Sequence, residues 1–237
     1  SPKQKNGNTA SLVLDAPLGT HEYLLTLPLY NGTEKLEIGI APKSQLAPAP
    51  ARSESTRAPI VFYGTSITQG GTVSRTGMAY PAILGRTLHR ETINLGFSGS
   101  GKMEPEMADL LSEIDAAVYV LDCLPNMNAD LIHERFTPFI RRLRRSRPDT
   151  PIILVANIVY QGSWFSKNRS RHIEKNSAFQ QEVKALKSLD LGKNITVYRG
   201  NLLGHDGLGT TDGTHPNDLG MLRIANALRR PIRKAIK

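Results

Sequence analysis

The 237 residues, 39% hydrophobic and 22% charged, have the balance of one substantial α/β domain with a small appendage, and nowhere do the roughly 18 consecutive apolar residues of a membrane span occur. A formal net charge of +9 favours acidic partners, while a single cysteine, Cys123, excludes an intrachain disulfide and a thiolate metal cluster. The polar start SPKQKNGNTAS has no apolar core of a signal peptide, so an exported form would have lost its signal already; localisation stays open, with a secreted or periplasmic mature form slightly ahead of a cytoplasmic one.

Residues 12–40 read as β-rich. LVL, YLLTLPLY and the alternating EKLEIGI are broken by the Asn31-Gly32 turn signal, and so few apolar positions predict a short meander that packs on the domain following it. Residues 41–59, rich in proline, alanine and serine, read as a linker. The chain therefore divides into a β-rich segment with linker, 1–58, and a catalytic-size domain, 59–237. In the latter the apolar runs IVFYG, TINLG, AAVYVLD, PIILVAN and NITVYRG alternate with helix candidates over 79–89, 105–114, 129–145, 177–189 and 218–234. Alternation of this kind predicts a three-layer α/β/α sandwich around a five-stranded parallel sheet, with functional groups at the carboxyl ends of the strands. The basic run RRLRRSR at 141–147 reads as the solvated end of a helix rather than a nucleic-acid surface, because no aromatic stacking platform accompanies it. No nucleic-acid partner is expected.

The first apolar run leads directly into Gly64-Thr65-Ser66-Ile67-Thr68-Gln69-Gly70-Gly71, which places Ser66 on a tight turn with its hydroxyl at the sheet edge. A phosphate-cradling loop is the competing reading, but the Lys-Ser/Thr pair of a P-loop is missing. A serine needs a base and an orienting acid, and Asp212-Gly213-Thr214-His215-Pro216-Asn217 supplies both after the last strand. The same pair would make half of a metal site only if His205 or Asp206 joined it. Donors for an oxyanion are available from the Ser66 N–H, from Gly99 in NLGFSGSG after the second strand, and from Asn126 in CLPNM after the third. Turn formation alone accounts equally well for either loop. Cys123 among apolar neighbours reads as a buried thiol, and the remaining histidines, His21, His89, His133 and His172, as surface or helix residues. Arg75 is a candidate substrate contact, as is the aromatic pair Trp164 and Phe165, which serves equally well as the cover of its own loop.

From about Pro59 onward the chain resembles the SGNH, or GDSL-like, hydrolase family, whose four blocks carry a serine, a glycine, an asparagine, and an aspartate with a histidine three residues later. Ser66, Gly99, Asn126, Asp212 and His215 match them in order, although GTSIT stands where many members have G-D-S and LPNM where many have G-x-N-D. These variants resemble the subgroup with a small N-terminal β-sandwich-like domain. The resemblance implies a flavodoxin-like fold, a triad of Ser66, Asp212 and His215, an oxyanion hole of Ser66, Gly99 and Asn126, and no metal or organic cofactor. It implies a small-molecule or carbohydrate ester as substrate, with acetyl esters of carbohydrates favoured because no long apolar stripe awaits a fatty chain. An acyltransferase or short-chain lipid esterase with the same triad, and a carbohydrate- or polyanion-binding module, stay open, as does the oligomeric state.

Overall fold

A computed structural model describes residues 9–13, 15–161 and 166–237, apart from the side chains at 55 and 166–168. The five apolar runs become five strands: β1 (Ile60–Gly64), β2 (Thr92–Gly96), β3 (Val118–Asp122), β4 (Ile152–Val155) and β5 (Ile195–Tyr198). All pairings are parallel, in the order β2-β1-β3-β4-β5. The three inner strands are buried along their whole length and the two edge strands are half-covered, which is why the inner ones read as continuous apolar runs rather than as alternation.

Period-two side chains divide the core into two. Val61, Tyr63, Tyr119, Leu121, Ile152 and Leu154 meet one layer of helices, and Ile60, Phe62, Val118, Val120, Ile153 and Val155 meet the other. In chain order the helices are α1 (Glu54–Arg57), α2 (Ser66–Gln69), α3 (Tyr80–Leu88), α4 (Pro105–Ser112), α5 (Ala129–Ser146), α6 (Ser166–Ser188) and α7 (Asp218–Ala235). Buried faces of α4, α5 and α6 close the first core, and those of α3 and α7 close the second. This strand order reverses direction between β1 and β3, so the loops after those two strands diverge and leave a crevice at their carboxyl ends.

Two expectations change. Helix α6 begins at Ser166, eleven residues before the predicted start, because SKNRSRHIEKN has almost no apolar periodicity and its leading turns are read poorly from pattern alone. The β-rich N-terminal segment forms no strand among the described residues before Glu54, and Tyr23, Leu24, Leu36 and Ile38 are each more than half exposed. Alternation specifies a strand only where a ladder partner and a covered face exist, and one hairpin without a third strand or an underlying helix is marginal.

The basic run at the end of α5 is largely structural. Arg142 forks onto Asp109 of α4 with both bonds at 2.5 Å, buried Arg144 donates to the carbonyls of Thr150 at 2.5 Å and Lys193 at 2.7 Å, and Arg147 reaches the Ser112 carbonyl at 2.8 Å. Among the described residues no helix is long and apolar enough to cross a membrane.

Candidate active site

The turn after β1 is built so that nothing larger than hydrogen fits. A Cβ on Gly64 would lie 2.1 Å from Thr68 Oγ1 and 2.8 Å from the Asp122 carbonyl, so the chain passes close under β3 before rising into α2. Thr65 opens that short helix by accepting the Ile67 N–H at 3.2 Å, and Gly70, at φ +99, closes it. Ser66 is thereby its first residue, half-buried at the sheet edge.

On the other side of the crevice Asn217 caps α7, accepting the Gly220 N–H at 3.0 Å and donating to the Leu208 carbonyl at 2.8 Å. This fixes the turn that precedes it. Gly213 takes φ +83, and Asp212 Oδ1 accepts the N–H groups of Thr214 at 2.9 Å and His215 at 2.6 Å. The other carboxylate oxygen lies 2.7 Å from His215 Nδ1, and His215 Nε2 lies 3.0 Å from Ser66 Oγ, across 149 residues of sequence. A carboxylate only accepts, so Nδ1 carries the ring proton and donates it, and Nε2 is the acceptor facing the serine hydroxyl. Partial burial works to raise the Asp212 pKa, but the bonds from the His215 ring, the His215 N–H and the Thr214 N–H outweigh it and hold the carboxyl at about 2. The acid is ionised throughout the neutral range.

Gly99 has φ +70 and open space where a Cβ would stand, whereas a Cβ on Gly101, at φ +67, would strike the Gly64 carbonyl at 2.1 Å. The loop after β2 therefore lies directly over the end of β1. Gln69 holds it there by accepting the Ser98 N–H at 2.9 Å. Among the described residues the backbone N–H groups of Ser66 and Gly99 have no acceptor. Asn126 closes a 3-10 turn, Leu124–Asn126, whose carbonyls at Leu124 and Pro125 receive Lys175 Nζ at 3.3 and 3.0 Å. Its Nδ2 donates to the Ser100 carbonyl and, at 3.3 Å, to that of Phe97. In this arrangement the Asn126 amide fastens the two loops together, and a rotation about its terminal torsion must release one carbonyl before it can serve an oxyanion.

Beneath α2 lies a polar cluster that sequence reasoning missed. Buried Asp122 accepts from Tyr80 at 3.1 Å, and the single Thr68 hydroxyl proton has two acceptors in reach, the Tyr80 oxygen at 3.0 Å and Asp122 at 3.4 Å. Burial drives the Asp122 carboxyl up to about 7 against the lowering effect of those two hydroxyls. The signal was present in VYVLD, where a carboxylate ends an otherwise apolar inner strand. Gln69 and Lys175 were missed because their partners are backbone groups of distant loops.

Cys123 is fully buried, its thiol directed at the Tyr63 carbonyl at 3.5 Å, and burial pushes its pKa up. Arg75 is exposed on the loop after α2, next to Ser74, whose N–H and hydroxyl bond Asp218 at 2.9 and 2.5 Å. Asp206 is committed to a fork with Arg223 at 2.8 and 2.5 Å rather than to Asp212 and His215. Trp164 and Phe165 lie outside the described residues.

Residues 57–233 match the model of the GDSL-like lipase/acylhydrolase family. Among solved structures, a protein from Bacteroides ovatus described as a GDSL-like lipase is 41% identical, with a TM-score of 0.73 over 77% of this chain and 55% of its own, so this chain spans about half the length of that relative. A salicylyl-acyltransferase from a tetracycline biosynthetic pathway shares the fold at 18% identity and TM-score 0.65, over 77% of this chain and 56% of its own. A family two carbohydrate esterase from Clostridium thermocellum, solved with cellohexaose, does so at 20% identity and TM-score 0.59, over 80% and 67%. A comparison with curated proteins found no match.

Proposed function

Because the chain belongs to the GDSL-like lipase/acylhydrolase family, we propose that it is a serine esterase that removes small acyl groups, acetyl above all, from carbohydrate esters. The observation that carries this reading is the relay from Ser66 Oγ to His215 Nε2 at 3.0 Å and from His215 Nδ1 to Asp212 at 2.7 Å.

Ser66 Oγ attacks the acyl carbonyl while His215 Nε2 takes its proton, and the carbonyl electron pair moves onto oxygen. The Ser66 and Gly99 N–H groups, which have no acceptor among the described residues, receive that oxyanion, and Asn126 joins them once its amide turns. When the tetrahedral intermediate collapses, the C–O bond to the alcohol breaks and His215 delivers its proton to the departing oxygen. Water then repeats the sequence on the acyl-enzyme: His215 accepts its proton, returns it to Ser66 Oγ, and the carboxylic acid leaves. Asp212 holds the imidazole and balances its transient positive charge.

Hydrolysis is favoured over transfer to another acceptor because the relay is open to water, with the His215 side chain 32% and that of Asp212 50% exposed. A carbohydrate ester is favoured because the groove beside the His215 turn sets the polar side chains of Thr72, Ser74, Asn217 and Asp218 in a largely apolar wall with Leu208 and Leu219, the mixed surface that suits a sugar ring better than a long acyl chain. The likeness to a carbohydrate esterase at fold level agrees with that chemistry.

The test is acetate release from acetylated xylan, acetylated chitin fragments and short-chain lipid esters, with Ser66→Ala as control. The expected result is Ser66-dependent release from the acetylated polysaccharides. Release from lipid esters alone would overturn the carbohydrate reading, and p-nitrophenyl acetate cleavage unchanged in Ser66→Ala would overturn the esterase mechanism.

A further inference from the structure

The segment at residues 26–30 is tied to the site although it forms no regular element. Gln69 Nε2 donates to the Leu29 carbonyl at 2.8 Å while Gln69 Oε1 accepts from Ser98, so one side chain joins this segment, the helix of the nucleophile and the Gly99 loop. Thr26 is anchored twice by the Thr76 hydroxyl, at 2.5 Å to its own hydroxyl and 3.3 Å to its carbonyl. Half-buried Leu29 rests on Gly70, where a Cβ would come within 2.8 Å of Leu29 Cδ1.

Those anchors place the next side chain. A carbon standing on Gly71 would lie 2.9 Å from the Tyr30 hydroxyl, 3.5 Å from the Ser66 carbonyl oxygen and 3.7 Å from His215 Cδ2. The phenol, the backbone of the nucleophile and the imidazole edge therefore border one small space. Tyr30 is 49% exposed, and among the described residues its hydroxyl has no hydrogen-bond partner. A half-covered ring with a free hydroxyl offers an apolar face and a directed donor, the combination that binds a sugar ring by stacking and by one hydrogen bond.

The side of the reacting centre follows from the chemistry. His215 Nε2 must reach the oxygen of the departing alcohol, and Cδ2 adjoins Nε2, so the space that Tyr30 borders belongs to the alcohol half of the ester rather than to the acyl half. Resting on the Ser66 esterase reading, we propose that Tyr30 is a specificity-determining residue that binds the alcohol portion of the substrate, a hydroxyl-bearing ring such as a pyranose.

The acetyl-enzyme is common to all acetate esters, so a residue that contacts only the alcohol alters acylation and leaves deacylation unchanged. The full chain and its Tyr30→Ala, Tyr30→Phe and Ser66→Ala variants are to be compared on ethyl acetate, whose alcohol is too small to reach the ring, and on a monoacetylated methyl xyloside. Rapid quench supplies the deacylation rate. Tyr30→Ala is expected to lower kcat/KM on the xyloside by about 10-fold or more, and Tyr30→Phe by about 3- to 10-fold, the value of one hydrogen bond. Neither changes kcat/KM on ethyl acetate by more than about 2-fold, nor the deacylation rate. Equal losses on both esters in Tyr30→Ala would show that the side chain only supports the loop and would overturn the assignment. Unchanged xyloside kinetics would overturn it as well. Failure of the underlying esterase reading is recognisable separately, as equal ethyl acetate rates for the wild type and Ser66→Ala.

Discussion

On the proposed esterase reading, Ser66, His215 and Asp212, linked at 3.0 and 2.7 Å, have three different tasks, and each is separable by substitution. Asp212→Asn keeps the shape but removes the carboxylate that fixes the Nδ1–H tautomer, and kcat is expected to fall by roughly 10²- to 10⁴-fold with KM little changed. The lower end applies if water, which reaches this half-exposed carboxylate, takes over part of its orienting role. Equal activity in Asp212→Asn would remove the residue from the relay. Cys123 gives the opposite expectation. Its thiol is fully buried and its pKa raised, so a thiol reagent such as DTNB should leave native protein unlabelled and fully active, with one thiol appearing only on denaturation. At this scale the residues that the structure brings together, Ser66, Asp212 and His215, and the loops of Gly99 and Asn126 were legible in the sequence, because a serine after the first strand and a D-x-x-H before the last helix are local patterns. Gln69, Tyr30 and Lys175 were not. Each acts on a backbone or ring that becomes its neighbour only through folding across 29 to 51 residues or more.

The strand-and-helix pattern was read nearly to the residue wherever burial made it visible. All five strands begin within two residues of the apolar runs that announce them, and α7 and α5 follow their amphipathic stripes. Pattern failed for the start of α6 and for the N-terminal segment, the first because its leading turns are polar, the second because alternation has no partner strand. One inner strand also carries an ionisable group at its end. Asp122 lies beneath α2, within bonding reach of Thr68 of that helix and Tyr80 of α3. Its folded pKa of about 7 exceeds the ordinary unfolded value of about 3.9, so the folded chain holds the extra proton between them. The stability due to the neutral carboxyl is therefore complete below about pH 4 and is lost as pH rises through about 7. Urea unfolding of Asp122→Asn between pH 4 and 7 should show a stability slope less negative than that of the wild type by up to one proton. Parallel slopes would place the titration elsewhere.

At the scale of the molecule, the β2-β1-β3-β4-β5 sheet gathers the loops that carry Ser66, Gly99, Asn126 and His215 at the crevice between β1 and β3, and residues 26–30 of the irregular N-terminal segment are anchored beside them. That N-terminal segment exposes Lys35, Lys43 and Arg52 on backbone without helix or strand, whereas Arg142, Arg144 and Arg147 of the domain are held by Asp109 or by backbone carbonyls. Brief trypsin treatment followed by mass spectrometry should cut first at those three positions, and first cuts between residues 60 and 155 would contradict this account of where the rigid body begins. All of these features serve one claim, that Ser66 becomes acylated. Its most direct measurement is intact and peptide mass spectrometry of protein quenched in acid during turnover of p-nitrophenyl acetate. A single added acetyl group on the peptide containing Ser66, absent from Ser66→Ala, is the predicted result. An acetyl group located elsewhere, or turnover that persists in Ser66→Ala without any adduct, would contradict the mechanism.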